Sequence, residues 1–175
     1  GCGGYNKMVN LDEAVKNKWA NVQSDYQRRA DLIPNLVSTV KGAANFEQET
    51  LTRVIEARSK ATSMNVSPEN LTPENIEKFQ QAQGQLSGAL SRLLVVAEQY
   101  PQLTATQNFR DLQTQLEGTE NRIKVSRNDF NTAVLEYNST VRRFPNNLFA
   151  GMFGFKPKPP FQAEAGSERA PRVEF

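Results

Sequence analysis

Residues 109–144 read FRDLQTQLEGTENRIKVSRNDFNTAVLEYNSTVRRF, and apolar or small side chains recur through this stretch at alternating steps of three and four residues. This spacing is the heptad seam of a helix that packs along its whole length. A helix of about 40 residues would be on the order of 60 Å long, so it needs partner helices to bury its stripe. The seam positions are Phe109, Leu112, Leu116, Thr119, Ile123, Ser126, Phe130, Ala133, Tyr137, Thr140 and Phe144.

Two segments before this stretch also show helical periodicity. The first spans about residues 5–44, and we expect it to bend near Ile33, because Pro34 removes one backbone hydrogen bond inside the helix. The second spans about residues 46–62 and follows Asn45, a residue type that favours the cap of a helix. Both are predicted partners for the long seam.

A third helix is predicted for about residues 73–100, with Thr72 as its cap and Pro73 at its first position. The long helix follows after a short connection, and Thr104 is its predicted cap, which gives a fourth helix of about residues 104–144. Helices joined by short connections lie antiparallel to one another. We therefore predict an all-α fold, an elongated antiparallel up-down-up-down four-helix bundle with a kinked first helix and a long fourth helix.

The two ends of the chain differ from this helical core. Residues 1–4 are three glycines and a cysteine, which indicate the remnant of an anchor or tether, whereas residues 5–144 form the predicted bundle. Residues 145–175 begin with an aromatic segment, Leu148 to Phe155, and continue as a proline-rich stretch. Such a composition predicts an extended, weakly ordered tail.

The composition argues against an enzyme. The chain has 21 basic and 19 acidic residues, no histidine and one cysteine. Without histidine it lacks the commonest general base and the commonest metal ligand, and we expect no catalytic residue, metal or cofactor. The basic residues are not concentrated on one helix face, so we also expect no binding to nucleic acid.

Two groups of residues inside the helices have a structural interpretation and a functional one. Arg28, Arg29 and Asp31 lie beside the predicted kink, where they could pair with Glu98 or Glu120 on other helices or line a ligand site, and we favour pairing. Glycines at positions 84 and 88 of the third helix favour close helix packing over a functional hinge.

Cys2 lies where a processed bacterial lipoprotein would begin, and Gly1 is the kind of small residue that precedes the cleavage site. The expected role of Cys2 is lipid attachment, which would hold the bundle outside the cytoplasm, in the periplasm or at the cell surface. The alternatives are a chance cysteine near the end of the chain and the truncated end of a membrane-spanning helix.

The strongest candidate for membrane or partner contact is the aromatic segment with its basic neighbours. In the predicted topology the fourth helix ends beside the start of the first helix, and aromatic side chains flanked by cations suit the interface of an anionic membrane. The alternative is that these side chains fold back over the open end of the bundle. The candidate residues are Leu148, Phe149, Met152, Phe153 and Phe155, with Arg142, Arg143, Lys156 and Lys158 around them.

Four stretches of the chain together resemble the LemA family of bacterial membrane-associated proteins. They are YQRRADLIPNLVSTVK at 26–41, LLVVAEQYP at 93–101, EGTENRIKVSR at 117–127 and FPNNLFAGMFGF at 144–155. The resemblance implies an elongated antiparallel helical bundle and a hydrophobic anchor at the amino terminus. Many family members look signal-anchored, whereas Cys2 here suggests a lipid anchor.

These observations predict a membrane-tethered, non-enzymatic protein that interacts with or scaffolds other proteins of the cell envelope, with self-association as a further possibility. The expected partners are the membrane and unidentified envelope proteins. The alternative is a membrane-shaping or lipid-binding protein that acts through Leu148 to Phe155. Lipid binding by a chain without Cys2 separates the two, because only the second predicts it.

Overall fold

The structure is a computed structural model that describes residues 2–143 and 146–161, apart from the side chains of Cys2, Asn146, Leu148 and Phe149. The described residues form six helices, four of them long, and contain no strand, which confirms the all-α prediction. In chain order the elements are α1 Cys2–Lys41, α2 Gln48–Ser63, a 3₁₀ turn Pro68–Asn70, α3 Pro73–Ala97, α4 Pro101–Thr104, α5 Gln107–Arg142 and α6 Asn146–Phe153.

The first helix is longer at its start and shorter at its end than predicted. It begins at Cys2, so residues 2–4 of the predicted anchor or tether remnant belong to the helix, and the ring of Tyr5 in the next turn packs on Phe153. The helix ends at Lys41, and Asn45 has a left-handed backbone with φ of 62°. Asn45 therefore turns the chain, and the N-cap of α2 is Glu47.

The predicted cap of the fourth helix was wrong by two residues. Thr104 ends the one-turn helix α4, which the buried side chain of Leu103 fixes to the core. Thr106 is the actual cap of α5, because its hydroxyl accepts a hydrogen bond from the backbone N–H of Phe109 at 3.3 Å. Thr72 caps α3 as predicted, accepting from Asn75 N–H at 3.2 Å.

The heptad seam of α5 is confirmed at nine of its eleven positions, which are buried. At one further position Val134 is buried in place of Ala133, and Val141 joins the buried face near the end of the helix. This drift occurs because 3.6 residues per turn does not match a strict seven-residue repeat over five turns or more. The last seam position, Phe144, lies outside the described residues.

The long helices pack as antiparallel neighbours. Asp25 and Arg29 of α1 contact Ser126 and Glu120 of α5, so the residue numbers rise along one helix as they fall along the other. The second close pair is α2 with α3, where the ring of Phe46 before α2 stacks near that of Tyr100 after α3. Helix α1 continues through Pro34 without a break in its helical structure. The bend of α1 near Ile33 and the complete four-helix topology stay predictions.

Two apolar clusters fill the interior. One cluster lies around Trp19 and Phe130 and reaches α6, and the other lies around Leu36, Leu93 and Phe109 at the opposite end. A polar layer separates the described parts of these clusters, and α1 and α5 both run through it. We use "polar layer" for Asp25, Arg29, Gln83, Ser87, Glu120 and Ser126.

The interpretation of Gly84 and Gly88 as a close packing face was wrong. A Cβ atom built at either glycine meets nothing within 4 Å, so none of the helices that the structure describes approaches closely there. Both glycines are exposed on α3. Among the described residues, no helix combines the length and the apolar composition required to cross a bilayer.

Candidate functional site

The predicted aromatic segment forms a short helix at one end of the molecule. Asn147 N–H donates to the carbonyl of Arg143 at 2.7 Å, and Ala150 is buried against the Trp19 cluster. The helix stops at Gly154, whose φ of 78° is a left-handed conformation that favours glycine. Phe155 N–H then donates to the carbonyl of Ala150 at 2.9 Å, and the chain turns back along the molecule.

An apolar surface, here called the end patch, consists of Tyr5, Met152 and Phe153. Their side chains are exposed to 40%, 75% and 53% respectively, although all three are large and apolar. The ring centroids of Tyr5 and Phe153 are 4.6 Å apart, so α6 lies beside the first turns of α1. Phe155 is half-buried behind the patch, with its centroid 6.1 Å from that of Tyr5.

The basic residues predicted around this segment fall into two groups. Arg142, Arg143 and Lys156 are exposed, and they precede and follow α6 in the chain. Lys158 differs, because its side chain is only 16% exposed and its ammonium group lies 2.9 Å from the carboxylate of Asp12. The same ammonium group lies 4.9 Å from the ring centroid of Tyr137. Lys158 is therefore an internal ion-pair partner in this conformation.

For three candidate residues the structure describes the backbone but not the side chain. The side chains of Leu148 and Phe149 lie outside the described residues, although both positions belong to α6. The side chain of Cys2, the predicted site of lipid attachment, is also outside the description, and its backbone is the first of α1. Residues 162–175 of the predicted tail lie outside it as well.

The expectation of a weakly ordered tail was wrong for residues 156–161. We call residues 155–161 the strap. The strap has no regular secondary structure, yet Phe161 is only 5% exposed. Its ring stacks on Trp19 at 5.7 Å between centroids and meets Phe130 edge to face at 5.4 Å. The guanidinium of Arg127 lies 4.7 Å from the centroid of the same ring. One aromatic side chain thus fixes the strap to the core.

Two asparagines of α5 hold the strap backbone. The side chain of Asn138 accepts from Lys158 N–H at 2.7 Å and donates to the Lys158 carbonyl at 2.8 Å. Asn131 does the same with Phe161, accepting at 2.8 Å and donating at 3.4 Å. We call the surface formed by Asn131, Asn138 and the pocket around Trp19 the tail groove.

Sequence reasoning missed these asparagines, but the chain contains a signal for them. Asn131 and Asn138 are seven residues apart on one helix face, about 10.5 Å along the axis. Lys158 and Phe161 are three residues apart, which spans about 9 Å in a proline-rich extended chain. The two spacings match, so each asparagine meets the backbone N–H and carbonyl of one strap residue.

Asp12 is the acidic centre beside the strap. Its carboxylate contacts Lys158 at 2.9 Å and Lys16 at 3.3 Å, and its negative charge raises the pKa of Lys16 above the ordinary value. Burial raises the pKa of Tyr137 to about 12, and the charge of Asp12 adds to this shift. Tyr137 therefore stays neutral over the physiological pH range.

The polar layer confirms the predicted charge pairing. Arg29 is 1% exposed and contacts the carboxylate of Glu120 at 2.9 Å, one of the two partners that the sequence suggested. Its guanidinium also donates to the hydroxyl of Ser87 at 2.6 Å and to the side-chain oxygen of Gln83 at 2.8 Å. The guanidinium of Arg29 thus links α1 to α3 and α5. In the part of the chain described here, no three acidic or thiol side chains lie close enough together to hold a metal ion.

Comparison with known proteins adds to this geometry. The family model for the LemA family matches residues 18–175. This chain belongs to the LemA family. The resemblance of its four sequence blocks is thereby confirmed. Among LemA-family relatives, the chain is similar to Magnetosome protein MamQ 2 of Paramagnetospirillum magneticum, with 27% identity over 181 residues that cover 94% of this chain and 66% of that protein.

Two further relatives are more distant. Magnetosome protein MamQ of Magnetospirillum gryphiswaldense is 26% identical over 169 residues, which cover 87% of this chain and 62% of that protein. Protein LemA of Metamycoplasma hominis is 24% identical over 148 residues, which cover 85% of this chain and 64% of that protein. The chain thus spans a little under two thirds of the length of these relatives. Neither their names nor that of the LemA family describes an enzyme.

Proposed function

We propose that this LemA-family chain is a non-enzymatic scaffold, a helical bundle tethered to a membrane with its end patch facing the bilayer. The observation that carries the proposal is the joint exposure of Tyr5, Met152 and Phe153 at the end where α1 begins. An anchor at Cys2 or before it would bring this end to the lipid. The sides of α1 and α5 would then be available to other proteins.

The proposed location is the outside of the cytoplasmic membrane, in the periplasm or at the cell surface. It depends on lipid attachment at Cys2, and the proposed partners are envelope proteins that have not been identified. Two relatives are named as magnetosome proteins, and neither name describes a catalytic activity, which is compatible with the proposed scaffold.

Intact mass tests the tether directly. The full-length precursor would be expressed in a bacterial host, extracted from membranes and compared with its Cys2→Ser variant. We expect a mass increase equal to a diacylglyceryl group, with or without an amide-linked acyl chain, that is absent from the variant. An unmodified chain that keeps its hydrophobic leader would overturn the lipoprotein proposal and reopen the question of which side of the membrane the bundle occupies.

A second candidate function is direct lipid binding or membrane shaping by the aromatic segment. It is favoured by the exposure of Met152 and Phe153 on a helix that exposed Arg142, Arg143 and Lys156 flank in sequence, because apolar side chains beside cations bind anionic bilayers. The apolar contribution and the electrostatic contribution are separable, since only the second weakens with salt.

Vesicle flotation separates the two candidates. The Cys2→Ser chain would be mixed with vesicles of phosphatidylcholine alone or with phosphatidylglycerol added. Direct lipid binding predicts flotation with the anionic vesicles, its loss in Met152→Ser/Phe153→Ser, and its retention in Val125→Ser/Leu135→Ser. The control pair is equally exposed, at 59% and 66%, but lies on α5. No flotation of the Cys2→Ser chain would leave the tether as the means of attachment and reject the second candidate.

A further inference from the structure

The strap is bound by its backbone, and its sequence explains how. Proline has no backbone N–H, so within residues 157–161 only Lys158 and Phe161 can donate a backbone hydrogen bond. Both donors are used, one by Asn138 and one by Asn131. The tail groove thus matches a chain whose N–H groups are three residues apart with prolines between them.

Side chains add selectivity to this backbone match. Beside the first clamped residue, Asp12 and the ring of Tyr137 accommodate a cation. Beside the second, Trp19, Phe130 and Arg127 enclose an aromatic ring. Proline-rich segments bind to aromatic-lined grooves at low entropic cost because they are extended before they bind. The arrangement has the properties of a peptide-binding site.

We propose that the tail groove is a peptide-binding site for a proline-rich segment with a cation and an aromatic residue three positions apart, and that a second copy of this chain supplies that segment by exchanging its strap. The strap of this chain is the segment whose fit is directly observed, so the strap of a second copy makes the same contacts. Gly154, with its left-handed backbone, is the joint at which the strap departs from α6.

Exchange competes with occupation of the groove by the chain's own strap. A segment joined to its site has an effective concentration on the order of millimolar, so a dilute protein keeps its own strap bound. Exchange becomes the main mode when the local concentration of chains approaches that value or when the chain's own strap is disabled. The proposal does not depend on lipid binding or on a tether, and it is tested without either.

Two variants of the full chain provide a complementation test. Lys158→Ala/Phe161→Ala disables the strap and leaves its groove intact, whereas Asn131→Ala/Asn138→Ala disables the groove and leaves its strap intact. Circular dichroism would first establish that both are helical. Sedimentation velocity would then be measured for each variant alone and for an equimolar mixture.

The expected result is a complex in the mixture only, because the intact strap of one variant enters the vacant groove of the other. A peptide of residues 155–161 should dissolve the complex, and the same peptide carrying Phe161→Ala should compete at least about tenfold less well, since it lacks the buried ring. If either double variant loses its helical signal, Phe161→Leu and Asn138→Ala replace the two double variants. A mixture that sediments as the sum of its components, or self-association of the strap-disabled variant alone, would overturn strap exchange.

Discussion

Arg29 carries a positive charge into the polar layer with almost no exposure to solvent. Its guanidinium makes contacts with Ser87, Gln83 and Glu120, which come from α3 and α5. A buried charge requires a partner, and removing one partner costs more than the pair contributes over an apolar replacement. In the contact with Glu120 only Arg29 is buried, since the Glu120 side chain is 42% exposed. Both partners are exposed in the pair of Arg53 with Glu49, which also has a short distance of 2.8 Å.

The first prediction compares these two ion pairs. Glu120→Ala should lower the free energy of unfolding by about 2 kcal/mol, because it leaves the buried charge of Arg29 without a counter-charge. Arg53→Ala should lower it by less than about 0.5 kcal/mol, since both partners are exposed to 69%. Urea denaturation measures both values. Equal effects would mean that Arg29 is satisfied by its neutral partners alone.

The second prediction concerns pH and Tyr137. In the unfolded chain tyrosine ionises near its ordinary pKa of 10.0, whereas burial raises the folded value to about 12. Stability should be unaffected by this group below about pH 10 and fall between about pH 10 and 12, by on the order of 1 kcal/mol at the middle of that window. Tyr137→Phe should lack this component. The stability of the variant relative to the parent chain should therefore rise as pH increases from about 8 to about 11.

At the scale of elements, the strap and α5 each place an aromatic ring in the same apolar cluster, but the two rings are held there in different ways. Phe161 and Phe130 both belong to the Trp19 cluster, with ring centroids 5.4 Å apart. Phe130 is fixed within α5 and cannot leave the core unless the helix unfolds. Phe161 belongs to a segment with no regular secondary structure that two α5 side chains hold, so its release does not require α5 to unfold.

The third prediction follows from this difference. Phe130→Ala should cost about 3–5 kcal/mol, as for other buried aromatic residues. Phe161→Ala should cost only about 1–2 kcal/mol, because the loss cannot exceed the free energy of docking the strap. Hydrogen exchange should show lost protection at Lys158 with α5 unchanged. A cost for Phe161→Ala as large as that for Phe130→Ala would show that the strap is part of the cooperative core.

The fourth prediction uses the exposed glycines of α3. Gly84→Ala and Gly88→Ala should each raise the free energy of unfolding by about 0.5–1 kcal/mol, because alanine has the higher helix propensity and the new Cβ meets no neighbour. Gly42→Ala is the control. Its Cβ would lie 3.2 Å from the Thr39 carbonyl, so the same gain is not expected. Thermal unfolding measures all three.

The sequence predicted which segments are helical better than it predicted where each helix begins and ends and how the helices are connected. Periodicity identified the buried face of α5 almost completely, because one face of a long helix must carry apolar residues. The cap at Thr106 was missed, since Thr104 is an equally good cap and only the turn at Pro101 decides between them. The strap was missed because composition alone does not distinguish a proline-rich tail that is free from one that is held by Asn131 and Asn138.

At the scale of the whole molecule, two apolar clusters share two helices. The helices α1 and α5 run through both clusters and through the polar layer between them. Unfolding one cluster would expose the ends of helices that the other cluster still holds, and the polar layer would lose its partners. The connection favours cooperative unfolding of the whole.

The fifth prediction tests that cooperativity. Trp19, the single tryptophan, reports on the cluster that also contains the strap pocket, whereas far-ultraviolet circular dichroism reports on all helices. The two urea transitions should coincide, as expected for a two-state protein. Glu120→Ala should shift both midpoints together. A fluorescence transition at lower urea than the dichroism transition would show that the two clusters unfold separately.

The hydrogen bonds from Asn131 and Asn138 to the strap backbone also allow docking of the strap to be followed by nuclear magnetic resonance. Among residues 157–161 only Lys158 and Phe161 have a backbone amide N–H, and each N–H is bound by one asparagine. In an amide spectrum of the ¹⁵N-labelled chain, two cross-peaks therefore report whether residues 157–161 are docked or released. Their positions would move together if the strap docks in one step and independently if each clamp closes alone.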